Sequence, residues 1–272
     1  MLGARAVLVS SASTLLFLAA IAVVITLAPG SAIVGERFFN WEHIRDSFLG
    51  TASTPSVVEA FWLNIRMFTV AEIAILLVAL VIAIVRGIPG PAFFPFRALA
   101  VAYTDLFRGV PLILVLYMIG FGVPGLGLRF FSNGSAVTYG VIALILVYSA
   151  YVAEVYRAGI DSVHESQIAA ARSLGLSRWQ SLRFVVLPQA IRRVIPPLLN
   201  DFIGLQKDTA LVSVLGSIEA ARAAQIYAAE QFNYASYVVA AALFILVTIP
   251  LARFTDHLIE RDRRRRVAGG VT

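Results

Sequence analysis

The chain has 272 residues, of which 59% are hydrophobic and only 14% are charged, and its formal net charge is +6. A soluble domain carries about 25% charged residues, so this composition excludes an ordinary water-soluble fold. Apart from Lys207, the basic residues are arginines that gather at the ends of apolar segments. That distribution is typical of membrane topology and argues against a nucleic-acid partner, which leaves the lipid bilayer as the surrounding medium.

Uncharged stretches of the chain are long enough to cross a bilayer. A helix needs about 20 apolar residues to span a hydrocarbon core of about 30 Å. The uncharged stretches are residues 6–35, 109–128, 130–153 and 231–252. Two further segments, residues 57–85 and 194–218, have helical length and contain three ionisable residues each. We therefore predict an all-α fold, a polytopic transmembrane helix bundle with six spans near residues 9–29, 60–85, 102–123, 136–156, 194–218 and 233–253.

The first predicted span also has features of a signal peptide, because Arg5 precedes it and Pro29-Gly30-Ser31-Ala32 follows it. Its apolar run is longer than the roughly 7–15 residues of a signal-peptide core, so we expect a retained helix. Residues 29–56, which carry Trp41 and Pro55, are predicted to form an external loop with room for a short interfacial helix.

The arginines orient the spans. With the N-terminus inside, the cytoplasmic segments collect Arg5, Arg86, Arg97, six arginines of residues 157–193 and five of residues 261–266. The external segments then hold Arg37, Arg45, Arg129 and Arg222, mixed with Glu36, Glu42, Asp46, Glu219 and Glu230. The positive-inside rule thus predicts a multi-pass protein of a bacterial inner membrane with both termini in the cytoplasm. The chain divides into an N-terminal helix and external loop (1–56), a main transmembrane domain (57–260) and a basic cytoplasmic tail (261–272).

Residues 157–193 form the longest predicted cytoplasmic loop. Its centre, Glu165 to Leu174, is rich in helix formers and is followed by Gly175, a residue that ends helices in the left-handed conformation. A second amphipathic piece is expected over residues 179–186. We predict that Pro188 interrupts the helix before span five and that Pro196-Pro197 break or kink the start of that span.

Ionisable residues lie in or near the predicted spans: Glu72, Asp105, Glu154, Asp201, Lys207 and Asp208. Each costs roughly 2.5–3.5 kcal/mol on insertion scales, so such residues usually face a bundle interior or a cavity. Asp201 and Asp208 are seven residues apart and share one helix face.

Two interpretations of these residues stay open. In the first, Glu72, Glu154, Asp201, Lys207 and Asp208 line a solute pathway, with acidic groups facing an ammonium and Lys207 facing a carboxylate. In the second, they form salt bridges that hold the bundle together. The places of Asp105 and Glu154 near the cytoplasmic ends favour a structural or gating role for both.

The chain lacks the residues for several kinds of chemistry. It has no cysteine, and its three histidines are far apart, so no metal-ligand spacing is present. It also has no G-x-x-x-x-G-K-[S/T] segment and therefore no nucleotide-binding P-loop. No catalytic residue, metal site or resident cofactor is expected.

The loop and its flanks resemble a known family. The stretch SQIAAARSLG, followed by LPQAIRRVIPPLLN, is similar to the EAA motif of permease subunits of bacterial ABC importers, with Ala169-Ala170-Ala171, Gly175 and Leu187-Pro188 at the matching positions. FRGVPL at 107–112, AEVYRAG at 153–159 and KDTALVS at 207–213 resemble the polar amino-acid branch, often called the histidine/glutamine permease type. The resemblance covers about residues 57–260.

The resemblance implies a five-helix type I importer core plus the extra N-terminal helix. It also implies that the helix near 164–175 is a coupling helix that docks on a cytoplasmic ATPase through Glu165, Gln167, Ala169, Ala170, Ala171, Leu174 and Gly175. The chain departs from the family pattern at Ala169, which replaces the glutamate of E-A-A, at Ser166, where glycine is usual, and at Ala210, where serine is commoner. Glu165 lies one helical turn before the missing glutamate.

The implied function is the membrane-spanning subunit of an ATP-driven importer that translocates a polar amino acid. The implied partners are two ATP-binding cassette subunits that hold ATP and Mg²⁺, a second permease subunit, identical or related, and an external substrate-binding protein. The alternatives are an ion-coupled secondary transporter of a small polar solute and a membrane scaffold or assembly factor. The secondary transporter predicts inverted repeats, which we do not find in the sequence.

Overall fold

The computed structural model describes residues 4–127 and 134–268. Arg129 and the last four residues of the predicted tail lie outside these ranges. No strand occurs within them, in agreement with the predicted all-α class. The α-helices, in chain order, are α1 (Ala4–Leu27), α2 (Ser31–Phe38), α3 (Trp41–Leu49), α4 (Val57–Gly87), α5 (Phe94–Gly109), α6 (Leu112–Tyr117), α7 (Val123–Gly125), α8 (Ala136–Asp161), α9 (Glu165–Ser173), α10 (Arg178–Ser181), α11 (Leu187–Asp208), α12 (Ala220–Gln231) and α13 (Ala235–Ala268).

Helix α8 is the centre of the larger core. It packs against α4, α5, α6 and α11, and its buried side chains include Ala143, Leu144 and Val147. In lipid there is little hydrophobic drive between helices, so close van der Waals packing of small residues has to hold them together. Gly140 and Gly159 supply such contacts: a Cβ atom at either position would collide with Val212 or Val194, respectively.

A second core joins α4, α12 and α13. Alanines form most of it, among them Ala60, Ala223 and Ala240, and the rings of Phe61 and Phe244 meet edge to face at 5.1 Å. Because alanine leaves little side-chain bulk, the three helices approach closely.

Three described helices are long and apolar enough to cross a membrane: α4, α8 and α13 up to Arg261. Together α5 and α6 also have the required length, but they meet at an angle of 106°. Helix α1 contains a shorter apolar stretch, Val9–Val24, and among its neighbours it contacts α2. The predicted total of six spans therefore stays a prediction.

The third predicted span, 102–123, is wrong as a single straight helix. The chain leaves the α conformation at Val110 (φ −97°, ψ 130°) and turns sharply before α6 begins at Leu112. Pro111 explains this break, because a proline ring clashes with a helical conformation of the preceding residue. A π-helical turn, Met118–Gly122, then separates α6 from the single turn of α7.

The expected interruption at Pro188 is also wrong, and Pro196-Pro197 do not break the helix, whereas a kink there stays a prediction. A continuous helical segment runs from α10 through a π-helical turn, Leu182–Val186, into α11, and both later prolines lie inside α11. The amide of Leu187 bonds to the carbonyl of Leu182, five residues back. A π-helical turn moves the backbone hydrogen bonds from the fourth to the fifth preceding residue. It lies directly before Pro188, which has no N–H to donate.

Residues 29–56 contain two helices, α2 and α3, where the sequence predicts a loop with one short helix. Asn40 begins α3 by accepting hydrogen bonds from the amides of Glu42 and His43. Long-range bonds hold this region to the end of α12, since Arg37 donates 2.6 Å to the carbonyl of Phe232. These contacts could not be read from the local sequence.

Candidate functional site

A cavity of about 450 Å³ lies between the α5–α6 break, α8 and α11. Its lining residues are Arg108, Gly109, Val110, Pro111, Leu112, Val147, Tyr148, Tyr151, Asp201 and Asp208. The broken helix creates this space, because the turn at Pro111 leads the chain away from α8. Irregular backbone is tolerated at membrane depth where it lines a cavity.

Two carboxylates face this cavity from α11. Asp208 accepts a hydrogen bond of 2.7 Å from the hydroxyl of Tyr148 on α8. Asp201 lies two turns earlier, and its Oδ2 atom is buried without a hydrogen-bond partner among the described residues. A buried carboxylate oxygen without a donor is costly. The cavity therefore offers acceptors to a cationic or hydrogen-bond-donating solute.

Arg108 supplies positive charge at the same cavity. Its guanidinium lies 6.0 Å from the centre of the Tyr151 ring and 3.8 Å from the Glu154 carboxylate. Arg108 was not predicted as a site residue, although it belongs to the FRGVPL stretch that carries the resemblance. The signal that could have identified it is an arginine directly before a glycine and a proline that breaks the helix.

The other candidates for the solute pathway lie elsewhere. Lys207 is exposed and is not among the cavity-lining residues. Glu72 is half-buried on α4 and does not line the cavity either. Only Asp201 and Asp208, of the five residues proposed for the pathway, are brought together here.

Glu154 is the centre of an ion-pair cluster near the C-terminal end of α8. It pairs with Arg86 at the end of α4, with Arg157 at 2.9 Å and with Arg108 at 3.8 Å. Arg86 also donates 3.1 Å to Thr104 on α5. The cluster therefore connects α4, α5 and α8. Asp105, which was also predicted to have a structural or gating role, is exposed.

The predicted cytoplasmic helix is present as α9. The ring nitrogen Nδ1 of His164 caps it by accepting from the amide of Ser166, and Gly175 ends it with a φ of +85°. Leu174 is 84% exposed, whereas Ala171 is buried. The other residues assigned to coupling, Glu165, Gln167, Ala169, Ala170 and Gly175, are exposed. The helix thus leaves an unpartnered surface of small residues beside an exposed leucine.

Helix α9 is tied to the bundle at its start. Arg193 on α11 donates a hydrogen bond to the carbonyl of Ser162, which lies between α8 and α9. Val163 next to it is buried. A displacement of α9 would therefore reach both α8 and α11, the helices that carry Tyr148 and Asp208.

A buried polar network around Asn64 on α4 was not predicted from the sequence. Asn64 donates 3.0 Å to Thr209 and 3.0 Å to Glu219, and its carbonyl oxygen accepts from the amide of Ala220. Glu219 caps the start of α12 by accepting hydrogen bonds from the amides of Ala221 and Arg222. A single asparagine in an apolar run is a weak sequence signal, and its partners are about 145 and 155 residues away.

The fold and the cavity define a polytopic α-helical membrane subunit of a transport system. Residues 92–265 match the family model described as the binding-protein-dependent transport system inner membrane component. The chain belongs to this family.

Relatives in the family have amino-acid transport names. The chain is 32% identical over 221 residues to the probable amino-acid ABC transporter permease protein YckA of Bacillus subtilis, covering 81% of this chain and 95% of the relative. It is 33% identical over 206 residues to the putative glutamine transport system permease protein GlnP of Rickettsia conorii, covering 75% and 91%.

Solved structures agree. One, titled as an amino acid ABC transporter with histidines, matches with a TM-score of 0.68 at 32% identity, covering 75% of this chain and 93% of that chain. An inward-facing MetNI methionine ABC transporter matches with a TM-score of 0.58 at 19% identity, covering 75% and 95%, and so shares the fold. The family assignment lends no support to the ion-coupled alternative.

Proposed function

We propose that the chain is the permease subunit of an ATP-driven importer and that it carries a polar amino acid through the cavity between α5, α8 and α11. The observation that carries the proposal is the pair of carboxylates, Asp201 and Asp208, in a cavity that also holds Arg108. An amino acid is a zwitterion, so it needs both an acceptor for its ammonium and a donor for its carboxylate. The names of the relatives support this class of substrate.

The size and charge of the cavity fit this role. Its volume of about 450 Å³ lies within the range of about 300–1,000 Å³ usual for small-molecule sites. We assign the ammonium to Asp208 and Asp201, and the carboxylate to Arg108 in place of Lys207. A guanidinium suits a carboxylate because its parallel N–H groups can bind both oxygens.

We further propose that two separate ATP-binding cassette subunits, which hold ATP and Mg²⁺, dock on α9. A second permease subunit and an external binding protein complete the assembly, and both termini of this chain face the cytoplasm. The exposed surface of α9, with Leu174 at its end, supports the docking proposal. The basic cytoplasmic segments support the orientation.

In this mechanism, the ATPases close on ATP and push on α9. The attachment of Ser162 to Arg193 passes that movement to α8 and α11 together. These helices hold opposite sides of the Tyr148–Asp208 bond, so their tilt changes access to the cavity. The substrate released by the binding protein then enters from outside.

The test is uptake into proteoliposomes that contain this chain, its ATPase, its binding protein and any second permease. We expect labelled amino acid to accumulate only when ATP is present on the side of the membrane that carries the ATPase and the binding protein is present on the opposite side. Uptake should continue when an uncoupler removes the proton gradient. Uptake that needs the gradient and proceeds without ATP would contradict the proposal.

A further inference from the structure

The cytoplasmic segment after α9 has a one-sided charge. Between the end of α9 and Asp201 the chain has four arginines and no acidic residue. The continuous helix from α10 through α11 covers most of this stretch and is longer than the predicted span 194–218. Its first half, residues 178–195, therefore extends from the predicted span toward the cytoplasm.

This half carries an exposed apolar stripe. Phe184, Leu187, Ile191 and Ile195 follow each other at helical spacing, and their exposed fractions lie between 38% and 62%. Residues three and four apart share a helix face, so these four form one face about 17 Å long. The stripe is distinct from α9, whose exposed apolar residue is Leu174.

Arginines flank the stripe on both sides. Arg183 directly precedes Phe184, with its guanidinium 5.6 Å from the ring centre, and Arg192 directly follows Ile191. Both arginines are exposed, and neither forms one of the ion pairs found among the described residues. Arg193, by contrast, is bound to the carbonyl of Ser162.

We propose that residues 178–195 form an interfacial helix that binds anionic phospholipid headgroups through Arg183 and Arg192. The helix passes the membrane surface obliquely, so that its apolar stripe contacts acyl chains and the side chains of Arg183 and Arg192 reach the phosphates. A helix with a basic polar flank and an aromatic, aliphatic face binds a membrane surface in this way. Charge complementarity favours this occupant over a protein, since the stretch offers a uniform positive field with no acidic residue to specify a partner surface.

The lipid site does not depend on the transported solute. It rests on the proposed orientation only in placing the lipid in the inner leaflet. It also gives the two parts of the cytoplasmic loop different partners: α9 faces a protein, and residues 178–195 face lipid. The bond between Arg193 and Ser162 links the two parts.

Trp179 provides a local probe, because it is 68% exposed and the chain has only three tryptophans. We would replace Trp41 and Trp62 with phenylalanine and reconstitute the full chain in nanodiscs. Quenching of Trp179 by brominated phosphatidylglycerol would be compared with quenching by brominated phosphatidylcholine at equal content. We expect stronger quenching by the anionic lipid than by the zwitterionic one. The preference for the anionic lipid should fall about five-fold in Arg183→Gln and about five-fold in Arg192→Gln, because each arginine near an anionic surface contributes about that factor.

Arg172→Gln is the matched control, because Arg172 is exposed on α9 and lies away from the stripe. It should leave the lipid preference unchanged. Equal quenching by the two lipids would overturn the proposal. The proposal would also be overturned if neither lipid quenched Trp179 and if Trp179 became shielded from solvent only when the ATPase subunit was added. Uptake measured on the same variants separates this result from a failure of the proposed transport function.

Discussion

Tyr148 on α8 donates a hydrogen bond of 2.7 Å to Asp208, the last residue of α11, and both residues line the cavity. We predict that Asp208→Asn raises the KM for amino-acid uptake roughly ten- to one-hundred-fold, because a hydrogen bond to a charged group contributes about 1.5–3 kcal/mol. The substitution keeps the size of the side chain and removes the charge that faces an ammonium. Uptake kinetics in proteoliposomes measure the effect.

Asp256→Asn is the control for Asp208→Asn. Asp256 is exposed on α13, outside the cavity, so the same chemical change should leave KM unaltered. Tyr148→Phe should have a smaller effect than Asp208→Asn, since the carboxylate stays charged. A fully folded Asp208→Asn variant with a normal KM would remove Asp208 from the substrate pathway.

Leu174 tests the docking of an ATPase. Its side chain is 84% exposed and supports nothing within the chain, so Leu174→Glu should leave the fold intact and abolish copurification with the ATPase subunit. Gly175 is a poorer target, because its φ of +85° strains any other residue regardless of docking. The matched control is Leu49→Glu, at an exposed leucine at the end of α3. If Leu174→Glu still copurifies with its ATPase, the coupling assignment is wrong.

The Glu154 cluster allows a comparison of a core partner with a peripheral one. The side chains of Arg86 and Glu154 are 12% and 16% exposed, whereas that of Arg157 is 48% exposed. Glu154→Gln should lower the free energy of unfolding by about 3 kcal/mol, because it leaves a partly buried arginine unpaired. Arg157→Gln should cost about 1 kcal/mol or less, as exposed ion pairs do. Thermal unfolding in detergent would show the difference, and equal losses would contradict a structural role for the Arg86 pair.

Gly159 tests the packing of α8 on α11. A Cβ atom there would collide with Val194 and lie 3.3 Å from the carbonyl oxygen of Ala190. Gly159→Ala should therefore destabilise the chain by about 1–3 kcal/mol, the usual cost of overpacking. Gly35→Ala on α2 meets nothing within 4 Å and should be neutral or gain up to about 1 kcal/mol. Similar melting temperatures for both variants would argue against a tight α8–α11 contact.

Local signals in the sequence were reliable where neighbouring residues decide the structure. The end of α9 at Gly175 followed from side chains within a few residues. The bend at Pro111 had an equally local cause, yet the unbroken apolar run of residues 109–128 concealed it. Apolar length alone does not distinguish a straight span from a broken one.

The prolines of α11 do not interrupt the helix, for another reason. A proline interrupts a helix only if the freed carbonyl and the ring find no accommodation. Here a π-helical turn precedes Pro188, and the helix continues through Pro196-Pro197 while packed against α8 and α13. Tertiary packing overrode the local preference.

By itself, the sequence determined the membrane setting, the all-α class, the family resemblance and the presence of helix α9, whose cytoplasmic location stays a prediction. These follow from composition, hydropathy and short motifs, which act over one or two helical turns. Only the tertiary structure decided that Arg108, rather than Lys207, shares a cavity with Asp208, and that Asn64 meets Thr209 and Glu219. Those relationships join residues about 100 or more positions apart, and they depend on how α4, α5, α8 and α11 pack, which no local pattern encodes.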